Sequence, residues 1–216
     1  MSVPPVIAID GPSASGKGTL ARRLAAALNY AHLDSGLLYR AVAAKLLACG
    51  RHPGDTAAAV TAARSLTPED LRRPDLRGEA VGAGASVAAA QQAVRDELVG
   101  FQRDFAAAPP DGKAGAVVDG RDIGSVIFPA APVKFFVTAD TRTRAARRHR
   151  ELIERGEESI YARVLQDMQE RDARDEKRAA APLKAAKDAV VLDTSALSEE
   201  QVFEAAIQIV RDRLTP

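Results

Sequence analysis

Short apolar, β-branched runs recur at Val6 to Ile9, Ala116 to Val118, Val133 to Val137 and Val190 to Leu192, with helical periodicity between them. Strands buried on both faces read as continuous apolar runs, and their alternation with helices indicates a parallel sheet covered on both sides. Ala31 to Leu33 supplies a short fifth strand, because Asp34-Ser35 then caps a helix running towards Ala48. The expected fold is α/β, with three layers and a five-stranded parallel sheet whose ligands bind outside the carboxyl ends of the strands. Asp10, Asp34, Asp119 and Asp193 fall at such ends.

Between Gly50 and Phe105 the pattern shows helices without a convincing strand. Thr67-Pro68-Glu69-Asp70 combines a capping hydroxyl, proline at the first helical position and early acids, which predicts a helix start. The Ala- and Gly-rich stretch Gly78 to Ala90 predicts a closely packed helix, and Pro109-Pro110-Asp111-Gly112 predicts a surface turn. There are no internal repeats.

The segment Gly11-Pro12-Ser13-Ala14-Ser15-Gly16-Lys17-Gly18-Thr19 lies directly between the first strand and a helix-like stretch, Leu20 to Leu28. In such a turn glycines let successive N–H groups point at one anion, and the helix N-terminus adds partial positive charge. Lys17 then reaches the outer phosphates of a nucleotide. The sheet and this loop together predict a P-loop NTPase fold. Gly18 stands where the usual pattern has Ser or Thr, which displaces the hydroxyl of Thr19 from the position of a direct Mg²⁺ ligand.

A chain of 216 residues with 46% apolar residues buries one substantial core, so a single domain over residues 1–216 is expected. It has no apolar run of bilayer length and no leader pattern at its start, which predicts a cytoplasmic protein with no membrane partner. With 30 Lys plus Arg against 29 Asp plus Glu and 4% aromatics, bulk attraction to a nucleic acid is not expected. Cys49 is the single cysteine, which excludes an internal disulfide and reads as packing. His32, His52 and His149 lack metal or triad spacing, and no metal-ligating residue is assigned.

A doubly charged phosphate acceptor needs arginines, whose planar forks bind phosphate oxygens bidentately. Arg40 lies one helical turn beyond Asp34-Ser35, and Arg121 just past a strand end; for each alone the alternative is a solvated surface arginine. Val164, Leu165 and Met168 form an apolar helical stripe whose continuation reaches Arg171, Asp172, Asp175 and Arg178, with Pro182 marking the helix end. That charged seam faces either a polar cavity or, as a salt-bridged helix end, solvent.

The Gly-Lys-Gly-Thr form resembles the nucleoside monophosphate kinases. Asp34-Ser35-Gly36-Leu37-Leu38-Tyr39-Arg40, Asp119-Gly120-Arg121-Asp122-Ile123-Gly124 and Glu170-Arg171-Asp172-Ala173-Arg174-Asp175 followed by Arg178 resemble, in the same order, the bacterial cytidylate kinases. The similarity runs from about Val6 to the C-terminus and is weakest between Cys49 and Ala80. It implies γ-phosphoryl transfer from ATP, with Mg²⁺, to CMP and dCMP. Implied ATP contacts are the loop Gly11 to Thr19 with Arg144 and Arg147. Implied acceptor contacts are Ser35, Arg40, Arg77, Ser86, Arg95, Arg121, Asp122, Arg171, Asp175 and Arg178, of which Arg121 and Arg178 join Lys17 as catalytic. Leu71-Arg72 competes with Leu76-Arg77 in this alignment.

The resemblance further implies a shortened acceptor-binding insert over residues 50–105 and a lid over residues 150–162. Arg142, Arg144, Arg147, Arg148 and Arg150, followed by Glu154-Arg155-Gly156-Glu157-Glu158, are the candidate lid charges. On hydrogen-bond polarity a carboxylate suits the amino group of cytosine while an arginine or hydroxyl suits its acceptors. The matching positions are Asp122, Ser86 and Arg95. Rival readings are a P-loop kinase for another small acceptor and a nucleotide-dependent switch, although the Asn-Lys-x-Asp tetrapeptide of guanine switches is missing. A monomer acting on small nucleotides is expected.

Overall fold

The computed structural model describes residues 3–214. Five strands, β1 (Val6–Asp10), β2 (Ala31–Asp34), β3 (Ala116–Gly120), β4 (Val133–Thr138) and β5 (Val190–Asp193), form one parallel sheet in the order β2-β3-β1-β4-β5. Side chains alternate between its faces, as strand pleating requires. On one face Ile7, Ile9, Val117, Val133 and Phe135 pack beneath α1 (Lys17–Leu28) and α8 (Glu199–Leu214). On the other, Val6, Ala8, Leu33 and Val118 pack against Ala106 of α5 (Gln92–Ala107) and the π-helical turn Ile123–Ile127. The expected three layers are present.

The second core lies among α2 (Ser35–Ala48), α3 (Thr56–Arg64), α4 (Glu79–Ala89) and α5. Small residues on α4 permit a close approach to α2. A Cβ at Gly84 would stand 3.1 Å from the Cβ of Ala43, and one at Gly82 would stand 3.2 Å from the guanidinium of Arg40. The compositional bias of Gly78 to Ala90 is therefore a packing feature. The charged segment after β4 forms α6 (Thr141–Glu154) and α7 (Tyr161–Lys177), joined by a turn at Arg155-Gly156. Among the described residues no helix is long and apolar enough to cross a membrane.

Four local expectations need correction. The Thr67 cap forms, with Asp70 N–H donating to Thr67 Oγ1 at 3.3 Å, but no α-helix follows. Pro74 holds Arg73 in extended backbone (φ −58°, ψ 134°), leaving two 3₁₀ turns, Asp70–Arg72 and Pro74–Arg77. Helix α7 stops at Lys177, well before Pro182. Cys49 is exposed at the end of α2 rather than packed. Helix α2 starts at Ser35 as expected, yet the Asp34 side chain makes no capping bond.

The two glycines that frame the loop sit in different surroundings. A Cβ on Gly11 would lie 2.0 Å from Val137 O in the neighbouring strand, whereas one on Gly16 meets nothing within 4 Å despite its φ of 89°. Gly11→Ala is expected to lower stability by about 2 kcal/mol, or roughly 4–8 °C in Tm. Gly16→Ala should cost less than half of that. Thermal unfolding followed by circular dichroism checks the order.

Candidate active site

Gly16 takes the left-handed conformation at the start of α1 and offers no side-chain cap, so the first-turn N–H groups of this helix face the cleft. Lys17 arches back over the loop and donates from Nζ to Pro12 O at 3.2 Å. Burial, reinforced by Arg121, pulls its ammonium down to about 7. Ser15 is fully buried, its carbonyl accepting from Thr194 Oγ1 at 3.0 Å, and its own Oγ has no hydrogen-bond partner among the described residues. The loop is thus held from behind while its front stays polar and open.

Beside Lys17 the ends of β2 and β3 bring together Asp34 and Asp119, which are paired in register. Burial, together with Asp119, pushes Asp34 above the ordinary carboxylate value. Asp119 sits 2.8 Å from His32 Nε2, and its carbonyl accepts from Ser35 Oγ at 2.8 Å. The missing cap on α2 has a consequence here: the Asp34 carboxylate remains available to the cleft.

Opposite the loop lies a cage of guanidinium groups. Arg121 donates through Nε to Asp175 at 2.9 Å, and Arg40 through Nη1 to Leu76 O at 2.7 Å. Burial, and then Arg121, lowers Arg171 to about 9; burial, and then Arg148, lowers Arg40 to about 10. Burial alone would raise Asp175, but Arg121 and Arg171 hold it below the ordinary carboxylate range. So many neighbouring cations are stabilised by an anion among them. Arg171 Nε is buried and without a hydrogen-bond partner among the described residues.

Further along the cleft Asp122 is buried in contact with Arg95, with Arg178 Nη2 at 3.6 Å on its other side. Arg95 is 2% exposed and lies over the Tyr39 ring. Ser86 Oγ accepts from Arg174 Nε at 3.4 Å. Loop, carboxylates, cage and this buried pair line one continuous cleft of about 1070 Å³.

The family model described as cytidylate kinase matches residues 7–212. The chain belongs to the cytidylate kinase family. It is 57% identical over 205 residues to a cytidylate kinase of Paramagnetospirillum magneticum, covering 95% of this chain and 97% of that one. It is 58% identical over 208 residues to one of Xanthobacter autotrophicus, covering 96% and 98%. Among solved structures, TT1252 from Thermus thermophilus covers 100% of both chains with a TM-score of 0.53 and 20% identity, a likeness of fold.

Most residues that the cytidylate kinase motifs single out meet in the cleft, but they divide differently from the expected grouping. Arg178 lies against Asp122 and Arg95, beyond the helical stripe that was extrapolated to it, because α7 ends one residue earlier. Arg144 does not line the cleft. It is buried, donating to Ser13 O at 3.3 Å and forking onto Asp172 at 2.6 and 3.1 Å, where it braces the loop. Arg147 lines the cleft and ties to Thr194 Oγ1 at 2.9 Å. Of the two competing alignments, Arg77 lines the cleft and Arg72 does not.

Several cleft residues were missing from the sequence assignment of nucleotide contacts: Asp34, Asp119, Tyr39 and Arg174, with Arg148 counted only among the lid charges. For Asp34 and Asp119 the signal was their position at strand ends. Arg148 was hidden within the run of arginines on α6, where only the helical register separates it from its neighbours. It pairs with Glu79 at 2.6 Å, a link from α6 to the start of α4 at the cleft margin.

Proposed function

We propose that the chain transfers the γ-phosphoryl group of ATP to CMP and dCMP, giving CDP and dCDP, in the cytoplasm. The observation that carries this reading is the meeting of two anion sites in one cleft: the Lys17 loop on one side and Arg40, Arg121 and Arg171 on the other. The Asp122–Arg95 pair further along supplies a carboxylate for the cytosine amino group and guanidinium donors for its ring acceptors. Asp175 faces Arg121 and Arg171 of the cage as well as Arg178 beside Asp122, and with Arg171 it would meet the acceptor sugar and phosphate region. Near-equal numbers of basic and acidic residues, 30 and 29, favour small nucleotides over a nucleic acid as partners.

Phosphoryl transfer depends on alignment and charge stabilisation. Loop N–H groups and Lys17 would hold the donor phosphates, while the guanidinium cage brings the acceptor oxygen into line despite its like charge. No general base is needed, because a nucleotide phosphate is already largely ionised near neutral pH. The α6–α7 turn around Arg155-Gly156 is suited to close over the reacting groups and exclude water.

Residues at the site fit Mg²⁺. Asp34 and Asp119 present hard oxygen donors side by side, and the like charge of Asp119, which adds to burial in raising Asp34, would be relieved by a divalent cation. When bound with ATP, the ion neutralises charge on the donor phosphates. A coupled ADP-release assay across nucleoside monophosphates tests the reading. CMP and dCMP should turn over at least ~100-fold more efficiently than AMP or GMP, and a preference for a purine acceptor would contradict it.

A further inference from the structure

Asp10 ends β1 one residue before the glycine loop, and it is only 3% exposed. Both carboxylate oxygens are used. Oδ1 accepts from the Ile123 N–H at 2.7 Å and Oδ2 from the Gly124 N–H at 2.8 Å. Those two N–H groups open the turn Ile123–Ile127, and Arg121-Asp122 immediately precede it. Asp122 O accepts from the N–H groups of Val126 at 2.9 Å and Ile127 at 3.2 Å, so the turn is internally closed as well as anchored.

Burying a carboxylate without a paired cation is unfavourable, and none of the salt bridges among the described residues includes Asp10. An ionised carboxylate does something here that a neutral side chain of that size does not: it presents two acceptors to two consecutive N–H groups. We infer that Asp10 is a positioning residue for the acceptor: it fixes Arg121 and Asp122 relative to the glycine loop and so sets nucleotide recognition without touching the nucleotide. The inference rests on the reading above, in which Asp122 serves the cytosine ring.

The charged groups around Asp10 are Asp122 and Arg121 on the anchored turn, with Lys134 of β4 alongside Gly124. The Lys134 ammonium is itself held by Asp188 at 2.8 Å and Pro129 O at 2.6 Å. Burial, and then Asp122, pushes Asp10 up to about 6 against the lowering effect of its two N–H donors and Arg121. Above that pH the double anchor is intact; below it a proton replaces one acceptor and the turn loosens.

The test is the ratio of kcat/KM for CMP over UMP, measured from pH 8 to 5.5 on wild type and Asp10→Asn. Both acceptors carry the same titrating phosphate, so its ionisation cancels in the ratio. Wild type should lose about threefold in the ratio on acidification, because a carboxylate titrating at about 6 is still roughly one-quarter ionised at pH 5.5. Asp10→Asn should start about tenfold lower at pH 8 and stay flat, with KM for ATP changed less than about twofold. A variant with the wild-type ratio at pH 8 would overturn the inference. So would a flat wild-type ratio, which needs no variant to fold. Wild type with no CMP turnover at pH 8 would overturn the parent reading as well, and is seen before any variant is compared.

Discussion

Lys17→Ala is expected to lower kcat by about 10³-fold while leaving the fold intact. Among the described residues Lys17 makes one hydrogen bond, to Pro12 O at 3.2 Å, so its removal leaves the sheet and both cores untouched. On the proposed reading its contribution is a positive charge beside the point where the migrating phosphoryl group gathers negative charge. A stability measurement separates this from a folding defect. The Lys17 pKa is lowered on folding to about 7 from 10.5, so the native state binds fewer protons than the unfolded chain between those values. Wild type should therefore gain stability relative to Lys17→Ala as pH rises through that window. Activity close to wild type would remove Lys17 from the donor site.

Asp122→Asn should reduce kcat/KM for CMP by about 10²-fold and that for UMP far less, eroding the preference between them. The carboxylate is buried between Arg95 and Arg178, and CMP and UMP differ in whether the base offers it an amino hydrogen. Removing its charge leaves two guanidinium groups facing a neutral amide, at a stability cost of about 3 kcal/mol or roughly 6–12 °C in Tm. Kinetics should be compared at a temperature where the variant is fully folded. An unchanged CMP to UMP ratio would exclude Asp122 from base reading.

The sheet was legible in the sequence because each central strand is buried on both faces and so appears as an unbroken apolar run. The glycine loop was legible for a different reason: its backbone geometry demands particular residues at fixed places. What could not be read depended on contacts distant in the chain. The Thr67 cap satisfies every local rule for starting a helix, and Pro74 stops it after one turn. Arg144 and Arg148 look alike in sequence, yet one braces the loop through Asp172 and the other pairs with Glu79 at the cleft margin. Only the packing of Ala145 and Leu152 against Val164 and Met168 sets that register. Arg178 could not be placed by helical periodicity, since it lies just past the end of α7 in extended backbone. Asp10 was noticed as a strand end, but its partners lie more than a hundred residues away.

The central claim, that donor and acceptor anion sites face one another within a single cleft, is tested most directly by calorimetric titration with a cytidine–adenosine pentaphosphate that joins both nucleotides. Linking the two ligands makes the second binding event intramolecular, so the conjugate should bind at least ~100-fold more tightly than ATP or CMP alone. It should also displace both. A conjugate that binds no more tightly than ATP and leaves CMP binding unaffected would contradict the account.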